Sequence, residues 1–355
     1  MAFLQSGNTV IADDTTDANT VFSNISIQGG ALVFTAALDG YGGTISGYSS
    51  GNPGPNYGQT QVYEKFPFAT DSNFVTAGAS LESFSGRSSG YSSTTNGFHV
   101  PQYGAAIAKV SFASDSIWSL ADNYRLNAPN TQHYAAQGNS KDHGYMSGGR
   151  DPGNAATVTD MTRFSLLSDT NGINTGSLGS AKEFACGASD QSGGNGFVMG
   201  GSAIQTSYTA VSTVDKFPFA STTPTTTIGN LFQTSNGNPH GISSVTHGYV
   251  AGYNTGTPGV ATTKITKFPF AATPGTTGTL VGDLDFTPGF VTNNCHSGTT
   301  YGYRCSGYGG ATPVPSPAAF PHERRYSKFS FASDGNATNV GNQTIGGYGS
   351  ACFMD

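Results

Sequence analysis

The chain repeats one short phrase about every fifty residues, and no other feature constrains its fold as tightly. Lys216-Phe217-Pro218-Phe219-Ala220 returns as Lys65-Phe66-Pro67-Phe68-Ala69 and as Lys267-Phe268-Pro269-Phe270-Ala271. Looser copies are Lys109-Val110-Ser111-Phe112-Ala113, Arg163-Phe164-Ser165-Leu166-Leu167 and Lys328-Phe329-Ser330-Phe331-Ala332. The leading cations are spaced by 44 (109−65), 54 (163−109), 53 (216−163), 51 (267−216) and 61 (328−267) residues. Such a period marks a solenoid, a propeller or an array.

A second phrase precedes the first in each period. It reads His143-Gly144-Tyr145, Asn195-Gly196-Phe197 and His247-Gly248-Tyr249, with weaker forms at Asp39-Gly40-Tyr41, Asn96-Gly97-Phe98 and Tyr301-Gly302-Tyr303. Each opens on a turn residue and runs to a glycine or small residue, as short strands do. Repeated strand glycines mark close backbone approach, which suits strands crowding towards an axis. A small-residue strand such as Phe184–Ala188 precedes this phrase, and one such as Thr227–Leu231 follows the KFPF phrase. Four antiparallel strands per period make the blade of a β-propeller. Within KFPF, Phe66 and Phe68, Phe217 and Phe219, Phe268 and Phe270, and Phe329 and Phe331 share a strand face and can fill the gaps between blades. Tyr145, Phe197, Tyr249 and Tyr303 supply the aromatic of the second phrase. Proline between the phenylalanines has no N–H, so this strand lies towards the outside of its sheet or carries a bulge.

Composition agrees. Charged residues are only 10% of the chain, while 36% are hydrophobic and 50 residues are glycine. Helix-period apolar stripes are nearly absent, so the expected class is all-β. Solenoid coils are usually shorter than fifty residues, and one sandwich would not repeat in this way. Six copies imply six blades, or seven if residues 1–30 and the tail complete one together. The expected organisation is an N-terminal arm or closing strand over 1–30 and the propeller over 31–355, its ring closed by pairing of the termini.

HGYxxGG followed by KFPFA and the turn Ser333-Asp334-Gly335-Asn336-Ala337-Thr338 resembles the kelch-like propeller repeats in virion proteins of tailed bacteriophages, notably those infecting marine cyanobacteria. The likeness spans roughly residues 31–355. It is sharpest in His247–Val250 with Lys267–Phe270 and in Lys328–Thr338, and the first two repeats depart from it. The resemblance implies a structural or host-contacting virion component, made in the host cytoplasm, and fold alone does not fix function.

Several classes are disfavoured. The net charge is −6 and cations cluster only at Arg324-Arg325, which argues against nucleic-acid binding. No apolar stretch approaches a membrane span, and Met1–Gln5 has no signal-peptide form. A sialidase Asp-box needs a different spacing from Ser333-Asp334-Gly335, and Trp118 stands elsewhere; Asp-Gly there is a hairpin turn. Tyr301, Tyr303, Cys305, His296 and His322 are the only grouping with copper-oxidase elements, and blade packing accounts for the tyrosines. His143 and His247 stand where Asn96 and Asn195 also occur, so a turn hydrogen bond explains them better than ligation. Asp283 and Asp285 share a strand face but lack the further oxygens of a Ca²⁺ site. Cys295 and Cys305 could face each other across adjacent strands and pair, geometry permitting. Neither a cofactor nor a metal is expected, and the chain reads as no enzyme.

The longest period carries its excess in Gly309–Ser327. That insertion contains four prolines and then His322-Glu323-Arg324-Arg325-Tyr326, the densest charge in the chain. Long loops on a repeat scaffold carry function, and Arg and Tyr anchor interfaces. These five residues are the interface candidates. The expected function is a virion structural module present in many copies (capsid decoration, tail or fibre) that contacts other virion proteins. The rival is a lectin-like propeller that binds host-surface glycans.

Overall fold

A computed structural model of the chain describes residues 2–4, 10–12, 22–28, 31–36, 46–50, 62–79, 89–100, 107–119, 135–151, 156–203, 209–221, 224–235, 241–255, 260–287, 295–305, 324–343 and 352–354. These residues form strands, turns and bends, with no helix. The chain divides into two compact units, Met1–Asp39 and Gly40–Asp355. In the first, Ala2–Leu4 pairs with Val10–Ala12 and Phe22–Gln28 with Ala31–Ala36, both antiparallel. The boundary expected at residue 30 therefore falls between two strands that pair with each other.

The second unit is a β-propeller arrangement. From inner to outer strand, its first sheet runs Cys352–Met354, Ser46–Ser50, Val62–Pro67 and Val75–Ala79. The second runs Ser89–Ser92, Asn96–Val100, Ala108–Ser111 and Ser116–Ser119; the third runs Ala136–Asn139, His143–Ser147, Asp160–Ser165 and Ile173–Ser177. The fifth contains Ile242–Ser243, His247–Ala251, Lys264–Pro269 and Thr279–Asp283, and the sixth Cys295–Ser297, Tyr301–Cys305, Arg325–Ser330 and Thr338–Asn342. These five are four-stranded and antiparallel. The fourth departs from the expected four strands. Beyond Cys186–Asp190, Asn195–Met199, Val211–Pro218 and Thr226–Ser235 it gains Thr276–Thr277, paired in parallel. Gly229 allows this, because a Cβ there would lie 2.1 Å from the Thr276 carbonyl oxygen. The strand that closes the first sheet comes from the C-terminal end, Cys352–Met354 on Ser46–Ser50.

The KFPF strand is third from the centre. In five sheets its register with the outer strand shifts just before the cation, where the outer strand carries one extra residue, Ala77, Thr175, Ile228, Val281 or Val340. Pro67, Pro218 and Pro269 end their strands, past the last pairing with the outer strand, so the missing N–H costs no ladder bond.

Between sheets the phenylalanines wedge against the aromatic of the preceding sheet. Phe68 stacks on Tyr303, Phe219 on Tyr145, Phe270 on Phe197 and Phe331 on Tyr249, with ring centroids at 4.8, 5.0, 4.8 and 5.1 Å. Phe66, Phe217, Phe268 and Phe329 are buried, as are Phe219 and Phe270, while Phe68 and Phe331 are half-buried. Each ring pair adds about 1 kcal/mol beyond its buried area. The HGY glycines do not line the axis. They lie on second strands beneath these rings, and a Cβ at Gly144, Gly196 or Gly302 would meet Phe164, Phe217 or Phe329 at 2.4, 2.2 or 2.5 Å.

The glycines nearest the middle belong to the inner strands or just precede them. A Cβ on Gly90, Gly187 or Gly241 would come within 2.0, 1.5 or 2.1 Å of the carbonyl oxygen of Cys352, Gln137 or Gly187 in the preceding sheet. Two residues on, backbone N–H groups bond the next sheet's side chain in a closed cycle. Ser92 N donates to Asn139 Oδ1 (3.0 Å), Asn139 N to Ser189 Oγ (2.8 Å) and Ser189 N to Ser243 Oγ (3.0 Å). Ser243 N then donates to Ser297 Oγ (2.9 Å), Ser297 N to Met354 Sδ (2.9 Å) and Met354 N back to Ser92 Oγ (2.8 Å).

Candidate functional site

The turn after each KFPF strand binds its sheet to the one before. Lys65 Nζ lies 3.3 Å from Asp115, Lys109 Nζ 3.4 Å from Asp169 and Lys267 Nζ 2.6 Å from Asp334, and Lys328 pairs with Asp71. Each aspartate stands six positions after the next sheet's own cation. Asp71, Asp115 and Asp334 have φ of 46°, 50° and 49°, the left-handed region that aspartate tolerates better than most residues. Partly exposed pairs like these contribute up to about 1 kcal/mol each. The fourth-to-fifth junction has Thr273 at that position, and Lys216 lies over the Phe197 ring at 5.6 Å.

At the other hairpin on this face, Ser140 Oγ accepts from His143 N (3.0 Å), Ser244 Oγ from His247 N (3.0 Å) and Ser93 Oγ from Asn96 N (3.1 Å). His247 Nδ1 is 2.8 Å from Thr246 Oγ1, and Asn96 Nδ2 donates to Thr95 Oγ1 at 2.7 Å. Histidine and asparagine thus share a turn role, as their interchange in the repeat suggests. Burial pushes the imidazoles of His143 and His247 below their usual value, reinforced by Arg163 and Lys267 respectively.

The five interface candidates separate. His322 and Glu323 lie outside the described residues. Arg324 and Arg325 are exposed, and Arg325 donates to the Asp285 carbonyl at 3.3 Å. Tyr326 is a core residue. It is 0% exposed, packs on Phe66, Phe74 and Tyr303, and shares a 3.0 Å hydrogen bond with His296 Nδ1. Alternation puts Tyr326 on the Lys328 side, and the first sheet covers that face: Lys328 pairs with Asp71 there, and Tyr326 packs beneath it on Phe66 and Phe74.

The copper-type grouping serves packing where it is described. Tyr303 is buried between Phe66, Phe68 and Tyr326, His296 bonds Tyr326, and Lys328 Nζ sits 4.6 Å over the Tyr301 ring. His322 and the Cys305 side chain lie outside the described residues. Asp283 is held below the usual carboxylate range by the Thr263 hydroxyl and then by Lys264, while Asp285 accepts from Ser327. Among the described residues no three His, Cys, Asp or Glu side chains gather as a metal site. Cys295 is a free thiol whose cross-strand partner is Arg304, and Cys305 stands opposite Tyr326, so the suggested disulfide does not form.

Two polar features escape the sequence reading. Lys182 and Asp215 form a buried ion pair at 2.7 Å, with Thr213 on the amine and Thr227 on the other carboxylate oxygen. The Asp215 Oδ2 facing the ammonium takes no aligned hydrogen bond and is held by charge. Arg150 and Glu183 form a second buried pair nearby in sequence, with Arg150 over the Phe184 ring. His99 is buried against the Tyr63 hydroxyl (2.8 Å), and burial pushes its imidazole down to about 3. No protein-family model matches the chain, and no curated protein matches it.

Proposed function

We propose that this chain is a non-enzymatic structural component of a tailed-phage virion, a module of capsid decoration, tail or fibre that works by protein–protein contact. The kelch-like resemblance of the repeats supports the setting. The reading takes the five-stranded sheet as a sixth blade beside the five four-stranded ones, to match the number of repeats in the sequence. A ring joined at its centre, its gaps and its turns is suited to holding surface loops in fixed positions.

One observation carries the reading. Arg324 and Arg325 are exposed where the insertion of the sixth repeat returns to its strand, and the next residue, Tyr326, is locked in the core. Cations on so firm a base lose little freedom on binding, which favours their use as contact anchors. Arg324→Glu with Arg325→Glu, introduced into the phage that encodes the chain, is expected to yield particles depleted of the protein while the purified variant melts as before. Normal incorporation would overturn the proposal. Saturable binding of the purified wild-type chain on a glycan array would replace it with the lectin reading.

A further inference from the structure

The central cycle of hydrogen bonds leaves a remainder. Ser92, Ser189, Ser243 and Ser297 each use Oγ to accept a neighbour's N–H, and among the described residues none of these hydroxyls has a protein acceptor for its own hydrogen. A hydroxyl that accepts one bond becomes a better donor for another. Ser189 and Ser297 are 8% and 6% exposed, so bulk water does not answer them freely. Ser189, Ser243 and Ser297 line one axial cavity of about 80 Å³, walled also by Gly187, Gly241 and Cys295.

The surrounding charge has a sign. Arg304 is fully buried, stands cross-strand from the cavity residue Cys295 and donates its Nε to the Ala251 carbonyl at 3.1 Å. Its guanidinium places a full positive charge behind that wall. Converging donors backed by a buried cation favour an occupant that accepts from every side. Water would still have to place two hydrogens of its own.

We propose that the axial cavity binds a small inorganic anion of halide size through the hydroxyls of Ser189, Ser243 and Ser297. It would tie three sheets to one centre, independently of what the outer loops contact.

The test uses bromide as the probe. Crystals soaked in sodium bromide are expected to show an anomalous peak on the axis within hydrogen-bonding distance of the three Oγ atoms. In solution, millimolar chloride or bromide should raise Tm above that in gluconate at equal ionic strength. Ser243→Ala should lose both the peak and the halide-dependent rise, and circular dichroism should confirm that it folds. If that variant fails to fold, Ser189→Ala replaces it. Absence of a peak in the wild-type protein overturns the proposal, as does a peak that persists unchanged in the variant. A peak at molar bromide without any halide effect on Tm means an adventitious ion only, and overturns it too.

Discussion

The fourth-to-fifth and fifth-to-sixth junctions perform one mechanical task by different means. At the fifth-to-sixth junction Lys267 reaches Asp334, and the turn that follows bonds the outer strand through Gly335 N to Val281 O and Ala337 N to Asp283 O, both 2.8 Å. At the fourth-to-fifth junction the carboxylate is missing and Lys216 rests on an aromatic ring. The turn there bonds more of its backbone, with Gly275 N to Ile228 O (3.1 Å), Gly278 N to Asn230 O (2.7 Å) and the short parallel strand Thr276–Thr277. Charge is traded for backbone. Both arrangements cover an outer strand edge that would otherwise invite foreign pairing.

The largest expected effect tests the backbone side. A Cβ at Gly229 would stand 2.1 Å from Thr276 O, and one at Gly282 would stand 2.0 Å from Gly335 O. Each Gly→Ala change should destabilise by about 1–3 kcal/mol in urea unfolding, as overpacking does. Gly229→Ala should cost the more, since it also tears the parallel pairing. If Gly282→Ala costs as much, the extra strand adds nothing.

The charge side predicts a smaller change. Thr273→Asp puts a carboxylate before Lys216 and should add about 0.5 kcal/mol at low salt, a gain that disappears near 1 M salt. Asp334→Asn, which keeps a residue that tolerates the left-handed φ of 49°, should lose a similar amount at the other junction. Thermal melts at two salt concentrations decide it, and a Thr273→Asp melt unmoved at low salt would show that Lys216 does not face this seat.

The smallest effect depends on pH. His247 lies by Lys267 and Asp334, with its folded value lowered from 6.5 mainly by burial and then by Lys267, whereas the fourth sheet has Asn195 at this place. The unfolded chain binds that proton more readily, so stability rises with pH below about 6.5 and is lost as pH falls. His247→Asn should flatten this part of a Tm-against-pH curve, and an unchanged slope would assign the dependence elsewhere, with buried His99 the first candidate.

Much of the architecture was legible because side chains of fixed type carry it. Phenylalanines at KFPF and aromatics at HGY announce the wedges between sheets, and the turn histidines and asparagines announce a shared role. Three features were hidden for physical reasons. Both faces of a KFPF strand are covered by neighbouring sheets, so Tyr326, on the same face as Lys328, read as an anchor for partners and is a core residue under the first sheet. Thr276–Thr277 pairs through backbone groups, which any residue supplies, and only Gly229 hints that the approach is close. The hydroxyl cycle draws on serines that are common throughout the chain, and its meaning appears only when the inner strands stand side by side. Of the candidate site, the exposed pair Arg324-Arg325 was legible as charge; its rigid footing was not.

The strand Cys352–Met354 completes a sheet whose other members begin at Ser46. These partners lie about three hundred positions apart, a separation that slows folding. During synthesis the opening sheet waits with a bare flank until the final partner emerges, and through that interval a neighbouring nascent chain can offer a substitute. Crowded expression should therefore yield swapped multimers, and brief dilution during synthesis should suppress them.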